Sequence, residues 1–450
     1  MRAPTRPRTA SRATDPSARG RRIAVVAASV AVIGYLVTTL AGQQLAGYDR
    51  AATMLVAPVL VVVGLAGVAH VRRVDRDPYL VGLVAFSMVG FTVAALVHHH
   101  VAFETYAGES DAELYARQGA LIAERLAAGD LTPNLGGESL VGLGFTYLLT
   151  GAVHLVVGPS TTAAFLIFGM VAFWGCYLCV RAFRVALPEA DVRRYATLLL
   201  LFPSVLFWGG GIGKEPWMLL CIGATALGAA RLFAHRPRAI PVLLAGLVGT
   251  SLIRPHITLM LFGALALALL IASWRRTTPS TPVVRAGLLG ALAIAGWLLL
   301  DRVFAFLQDN GTAPSSLLVI HGDTALRSGG GGSGFTDQAV HGIADLPVAL
   351  VTVLFRPFPW EASGLAMVSA VEGLALILLT VTAWRRWTGI PGLLRPAPYV
   401  AFSLVFVLGF VVAFSAVANF GGLVRERIMV LPFLLVLLCL PVRPRRPAPP

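Results

Sequence analysis

One ammonium stands among 36 basic residues: Lys214 is the sole lysine of the 450-residue chain, and every other cation is arginine. It lies in residues 201–220, LFPSVLFWGGGIGKEPWMLL, inside an apolar hairpin. Ionisable groups at membrane depth are costly and ordinarily face a cavity or a partner, although a lysine at a helix end can also snorkel to a headgroup. Four of residues 209–213 are glycine, which breaks a helix after Trp208, and Pro216 is tolerated in the first turn of the next one. Backbone N–H groups at such a helix start, with Lys214, make a seat for phosphate or pyrophosphate. It is not a Walker motif, because no Ser or Thr follows the lysine. The alternative is a tight hairpin in which Glu215 or a nearby acid neutralises Lys214.

Four further constellations carry possible chemistry. Ser110-Asp111-Ala112-Glu113 opens an amphipathic stretch, where Ser110 or Asp111 would cap a helix. A carboxylate there, Asp111 or Glu113, could also be a general base for an acceptor hydroxyl, or ligate a divalent metal (Mg or Mn) that holds a phosphate. Arg254-Pro255-His256 places an arginine between two apolar runs, suited to bidentate binding of phosphate or to an ion pair between helices, with Glu215 as a partner. Arg356-Pro357-Phe358-Pro359-Trp360-Glu361 is a stiff aromatic segment: an interfacial anchor, or a place where Arg356 and Glu361 bind sugar hydroxyls or phosphate while Trp360 stacks on a sugar face. Arg425-Glu426-Arg427 puts two arginines where the topology expects few, which points to an anionic ligand or to a simple solvated turn.

The elements that must position these residues are membrane helices. The chain is 57% hydrophobic and 13% charged, where a soluble domain carries roughly 25% charge. This predicts an all-α polytopic transmembrane bundle. The net charge of +14 does not imply nucleic acid, because the arginines fall in short clusters between apolar runs, as cytoplasmic loops do. Cys176, Cys179, Cys221 and Cys439 all lie in apolar runs and read as small hydrophobes, despite the C-x-x-C spacing of the first two. No cleavable signal is expected, since residues 2–22 are too long and basic a leader.

In order, residues 1–21 read as a disordered basic cytoplasmic tail, 22–442 as the membrane domain and 443–450 as a second cytoplasmic tail. Spans are predicted near 22–42, 52–70, 78–97, 161–180, 195–209, 215–233, 239–253, 256–273, 284–302, 362–384, 399–417 and 427–442. That gives about 12 crossings with both termini cytoplasmic. Residues 98–158 form an outer region that holds an amphipathic surface helix over 111–128, with Leu114, Leu121, Ile122 and Leu126 on one face. The apolar stretch 139–157 is expected in the interface rather than across the bilayer, because counting it as a span would push the arginines of 181–194 and every later cluster outside. Residues 346–358 are too short to cross, and 303–345 is a flexible outer loop whose GGGGSG at 329–334 reads as linker. His98, His99 and His100 are adjacent on a helix, so they do not share a face for a metal. This topology gathers the charged candidates on the outer side.

Asp111, Tyr115, Ala116, Ala123, Gly129, Asp130 and Leu131, followed by the apolar stretch to Gly158 and then a span, resemble the glycosyltransferase-C superfamily. Phe202-Pro203-Ser204, Phe207-Trp208, Gly211 and Lys214-Glu215, with Arg254–His256 and the last arginine hairpin, resemble bacterial polysaccharide-polymerase-like membrane proteins. The resemblance implies an enzyme of the cell membrane that transfers sugar from a polyprenyl-phosphate or -diphosphate donor to an extracytoplasmic acceptor in envelope polysaccharide synthesis. Asp111 would be its base, with Lys214, Arg254 and Arg425 or Arg427 on the phosphate leaving group. The other reading is a transporter or flippase of an anionic lipid-linked intermediate, favoured by the broken hairpin. The implied partners are a polyprenyl-linked sugar and membrane lipid.

Overall fold

The computed structural model describes residues 47–105, 110–132, 134–272, part of 294–304, 340, 342–364 and 366–441. The expected tails, the spans at 22–42 and most of 284–302, and the glycine-rich stretch 329–334 lie outside the described residues. The protein is 80% helix with no strand among the described residues, which settles the all-α class. Among the described residues five helices are long and apolar enough to cross a membrane: Gly47–Asp75, Pro78–Thr105, Leu140–Val157, Thr161–Ala186 and Lys214–Phe233. This is a helical membrane protein.

Helix α1 (Gly47–Asp75) turns into α2 (Pro78–His100) at Asp77, whose extended backbone and carboxylate start the second helix. Pro78 takes the first-turn position that needs no N–H, and Asp77 Oδ1 accepts from the Tyr79 amide at 3.0 Å. The turn is fastened from outside by Arg193, which donates to Oδ2 and Oδ1 of Asp77 at 3.0 and 3.1 Å. Beside it, the buried Asp75 accepts from Tyr177 at 2.8 Å and from Arg184 at 2.7 Å.

The surface helix α3 (Asp111–Ala127) and the apolar α4 (Phe145–Val157) pack along each other. Gly119 lies against Thr150 and Gly151, Gly151 lies against Ile122, and the Tyr115 and Tyr147 rings stand 6.0 Å apart. The buried face of α3 is Ala112, Tyr115, Ala116, Gly119, Ile122 and Ala123. Leu114 and Leu121 are exposed, so the face that meets protein is rotated from the one expected for lipid contact. Small residues win that face because they let α4 approach closely.

Helices α5 (Thr161–Ala186) and α8 (Lys214–Phe233) form the most intimate pair in the bundle. Lipid tails are as apolar as leucine, so helices in a bilayer associate through close packing rather than through burial from water. A Cβ at Gly223 would collide with the Gly175 carbonyl oxygen, and one at Gly175 would collide with the Leu219 backbone. That pair of glycines permits the approach. Helix α9 (Ala239–Ser251) covers α8, and α10 (Pro255–Ile271) follows it.

The span expected at 195–209 is two short helices, α6 (Val192–Leu200) and α7 (Pro203–Gly209). Pro203 lacks an amide and drives the preceding residue out of the helical region; Phe202 is extended, with ψ 122°. The span expected at 427–442 is likewise interrupted. α14 (Phe420–Arg427) ends before a turn, and α15 (Leu431–Leu438) follows with Pro432 in its first turn. Between these regions lie α11 (Leu346–Phe355), α12 (Ala366–Thr382) and α13 (Pro398–Phe414). α11 has 10 residues, too few for a bilayer that needs about 20. The aromatic core around Phe402, Phe406, Phe410 and Phe433 holds α15 against α13. The four cysteines are free and buried within helices or at their ends, as small hydrophobes.

Candidate functional site

Four helix starts or short helices meet at one place. Asp111 opens α3, Lys214 and Glu215 open α8, Arg254 immediately precedes Pro255 of α10, and Arg425 and Glu426 sit on α14. Glu215 is the hub. Its Oε1 accepts from Arg425 Nε at 2.6 Å and from Arg254 Nη2 at 3.4 Å. Arg425 continues outward through Nη1 to Asp111 Oδ2 at 2.6 Å, while Arg254 Nη1 pairs with Glu426. The chain of charges runs from buried to solvated: the Glu215 side chain is 4% exposed and that of Asp111 60%. Asp111 is therefore the solvent-accessible end of the chain of charges.

Lys214 stands apart from this chain. Among the described residues its ammonium has no ion-pair partner within 4.0 Å, although it lies in the combined field of Arg254, Glu215, Arg425 and Asp111. Glu215 does not neutralise it, because neighbouring residues on a helix point in different directions and Glu215 is held by two arginines. The expected glycine break is present: α7 ends at Gly209 and α8 begins at Lys214. A Cβ at Gly210 would press on the Ala95 backbone at 2.8 Å, and one at Gly211 would collide with the His98 ring. The turn is therefore glycine-rich because α2 lies directly beneath it.

Aromatic and imidazole groups wall the cluster. His98 stacks on Phe207 with centroids 4.3 Å apart, meets Trp208 edge-on at 5.4 Å, and leaves Nδ1 buried without a hydrogen-bond partner among the described residues. Trp208 stands 6.0 Å from the Arg425 guanidinium. Tyr115, one turn after Asp111, is 3% exposed and lies in the field of Arg425. Burial first, then the charges of Asp111 and Glu215, push its phenol up to about 12 against the opposing effect of Arg425. Tyr115 therefore keeps its proton at neutral pH. His256 is adjacent, in the field of Arg254 and Lys214 and 6.1 Å from the Phe414 ring.

The other sequence candidates lie elsewhere in the arrangement. Glu113 pairs with Arg117 at 3.3 Å on the exposed side of α3. Arg356 is joined to Glu361 Oε1 through Nε at 3.0 Å and Nη2 at 2.7 Å, and Glu361 Oε2 accepts the Phe358 amide at 3.0 Å. This closes a loop that presents Trp360, 78% exposed and stacked on Phe358. Arg427 points away from Arg425 into the protein. It is fully buried, donating to Glu372 at 3.2 Å and to the carbonyls of Leu354 and Arg356 at 3.1 and 2.7 Å. Ser110 occupies the cap position of α3 but makes no capping bond with its side chain.

Sequence reasoning gave no site role to His98, Trp208 or Glu372, and named Glu426 only among the outer charges. Glu372 had a readable signal, being a lone carboxylate within an apolar helix. No metal site built from protein ligands alone is present among the described residues. Asp111 is engaged by Arg425 and Glu113 by Arg117, and among the described residues no group of three or more His, Cys, Asp or Glu side chains gathers to hold one. No protein-family model matches the chain, and neither a curated protein nor a solved structure matches it.

Proposed function

We propose that the charged cluster is the donor and acceptor site of a membrane glycosyltransferase or glycan polymerase that uses a polyprenyl-phosphate-linked sugar. The observation that carries this reading is the convergence of Asp111, Lys214, Glu215, Arg254, Arg425 and Glu426 from four separate stretches of chain, with one cation, Lys214, left without an ion-pair partner among the described residues. In this reading the chain crosses the plasma membrane about 12 times, both termini are cytoplasmic and the site opens outward.

The chemistry follows from the shared arginine. A phosphate arriving beside Lys214 draws Arg425 from Asp111, which frees the carboxylate to act as base. An acceptor hydroxyl then attacks the anomeric carbon and gives its proton to Asp111. The bond from that carbon to the phosphate oxygen breaks, and its electron pair stays on the leaving phosphate. Lys214, Arg254 and Arg425 hold the charge that develops there, and electrostatic stabilisation of this kind is commonly the largest catalytic contribution. Tyr115 supplies a neutral hydroxyl donor next to Arg425.

Purified protein should turn over polyprenyl-phosphate or -diphosphate sugars. Asp111→Asn should lower kcat by roughly 10²–10⁴, the range for loss of a general base, with little change in KM. Lys214→Ala should also lose turnover. Full activity in both variants would remove the site assignment.

The transporter reading keeps the glycine break before Lys214 as its support and gains a second, the break between α6 and α7, where a buried Glu372 meets a half-helix start. Movement of a lipid-linked anion across proteoliposome membranes with no glycosidic product would decide for it.

A further inference from the structure

Arg427 and Glu372 are buried, opposite in charge and away from the outward cluster, and the reading above gives them no role. Apart from the bond between them, their hydrogen bonds among the described residues fall on broken ends of the backbone. Glu372 Oε2 accepts the Ser204 amide at 2.6 Å, one of the orphan N–H groups at the start of α7. Arg427 Nη1 donates to the Leu354 and Arg356 carbonyls, orphan acceptors at the end of α11, while Nη2 donates to Glu372 Oε1 at 3.2 Å. One ion pair therefore joins α7, α11, α12 and α14.

A closed loop of contacts results. Residues two apart on a helix point to opposite sides, so Arg425 and Arg427 leave α14 in different directions. Both reach α7. Arg425 reaches it through the Trp208 ring at 6.0 Å, and Arg427 through Glu372 and the Ser204 amide. Trp208 follows Ser204 by four residues and shares its face of α7. The far end of α7 is Gly209, where the glycine turn into Lys214 begins.

We propose that Glu372 and Arg427 are positioning residues: they fix α14 against α7 and so hold Arg425 beside Lys214, making anion binding depend on a pair that does not touch the anion. This rests on the reading of the cluster as an anion site.

Because Lys214 is the only lysine, its acylation by an amine-reactive ester, read by peptide mass, reports on this site alone. The test uses the full chain in detergent micelles with inorganic pyrophosphate as the probe. Arg427→Lys keeps the charge but cannot hold both carbonyls and Glu372 in one planar fork. Glu372→Gln keeps an acceptor for Ser204. In each, the pyrophosphate concentration that half-protects Lys214 should rise roughly 2- to 30-fold, the range for mutations acting through a coupled network, while size-exclusion profile and thermal midpoint show a folded protein. Folded variants protected at the wild-type concentration would overturn the proposal. Loss of fold in both variants would also overturn it, by making the pair a stability element alone. If pyrophosphate fails to protect the wild type, the anion-site reading falls. The positioning role is then read from the acylation rate without probe, which should differ between wild type and variants; equal rates would end it.

Discussion

Two cations of the cluster have opposite energetic roles. Arg425 holds Glu215 and Asp111 at 2.6 Å each. Replacing it with alanine leaves the buried Glu215, among the described residues, the longer contact to Arg254 as its ion pair, and breaking one side of a buried pair costs about 3–5 kcal/mol. Among the described residues Lys214 has no ion pair to lose. Lys214→Ala should therefore shift stability by no more than about 1 kcal/mol, the scale of a weakly coupled charge, while abolishing anion protection and turnover. Thermal unfolding of both variants in one detergent checks this; equal destabilisation would make Lys214 a structural residue. At this scale the sequence is informative about which residues are unusual and silent about which pair. The sole lysine stands out by composition, but the partner of Glu215 lies 210 residues away, and no local spacing encodes that.

Among the elements, the α1–α2 junction gives a testable pH dependence. Burial raises the Asp77 carboxyl, but the hydrogen bonds from Arg193 and the Tyr79 amide outweigh it and hold the group below its ordinary value. A group depressed in the folded state adds stability above its unfolded value, and that contribution is lost as pH falls through the folded one. Acidification below the ordinary carboxylate range should thus loosen the start of α2. Amide exchange at Tyr79 and Val81, corrected for intrinsic rates, should accelerate relative to neutral pH in the wild type. In Asp77→Asn it should already be faster at neutral pH and show no further acid step; an acid step of wild-type size in that variant would assign it to another group. Arg193 is 60% exposed, so the effect is local and screened by salt. Apolar runs and the glycine break were legible from residue type alone. The interruption at Phe202–Pro203 was not, because both residues are apolar and hydropathy does not register the missing amide. Glu372 was legible as one acid in an apolar run, but its partner Arg427 lies 55 residues away and was not.

For the whole molecule, the orientation of the α3–α4 pair decides where the site opens. Leu140–Val157 is long and apolar enough to cross, yet its principal partner is α3, which carries the exposed side chains of Arg117, Glu124 and Arg125. A crossing of α4 with α3 alongside would carry those charges into lipid, at roughly 2.5–3.5 kcal/mol for each charged residue at mid-depth. Lying in the interface avoids that cost, keeps Asp111 at the water boundary and lets the arginine clusters of the later loops remain cytoplasmic. The two arrangements differ at the ends of the segment. Glu138 and Pro159 are both exposed and flank it, and the native cysteines Cys176, Cys179, Cys221 and Cys439 are buried, so single introduced thiols report cleanly. In intact cells a membrane-impermeant maleimide should label Glu138→Cys and Pro159→Cys alike if the pair lies in the outer interface. Labelling at one end only would mean that α4 crosses. The charge clusters after it would then change sides, and the outward opening on which the transferase reading depends would be lost.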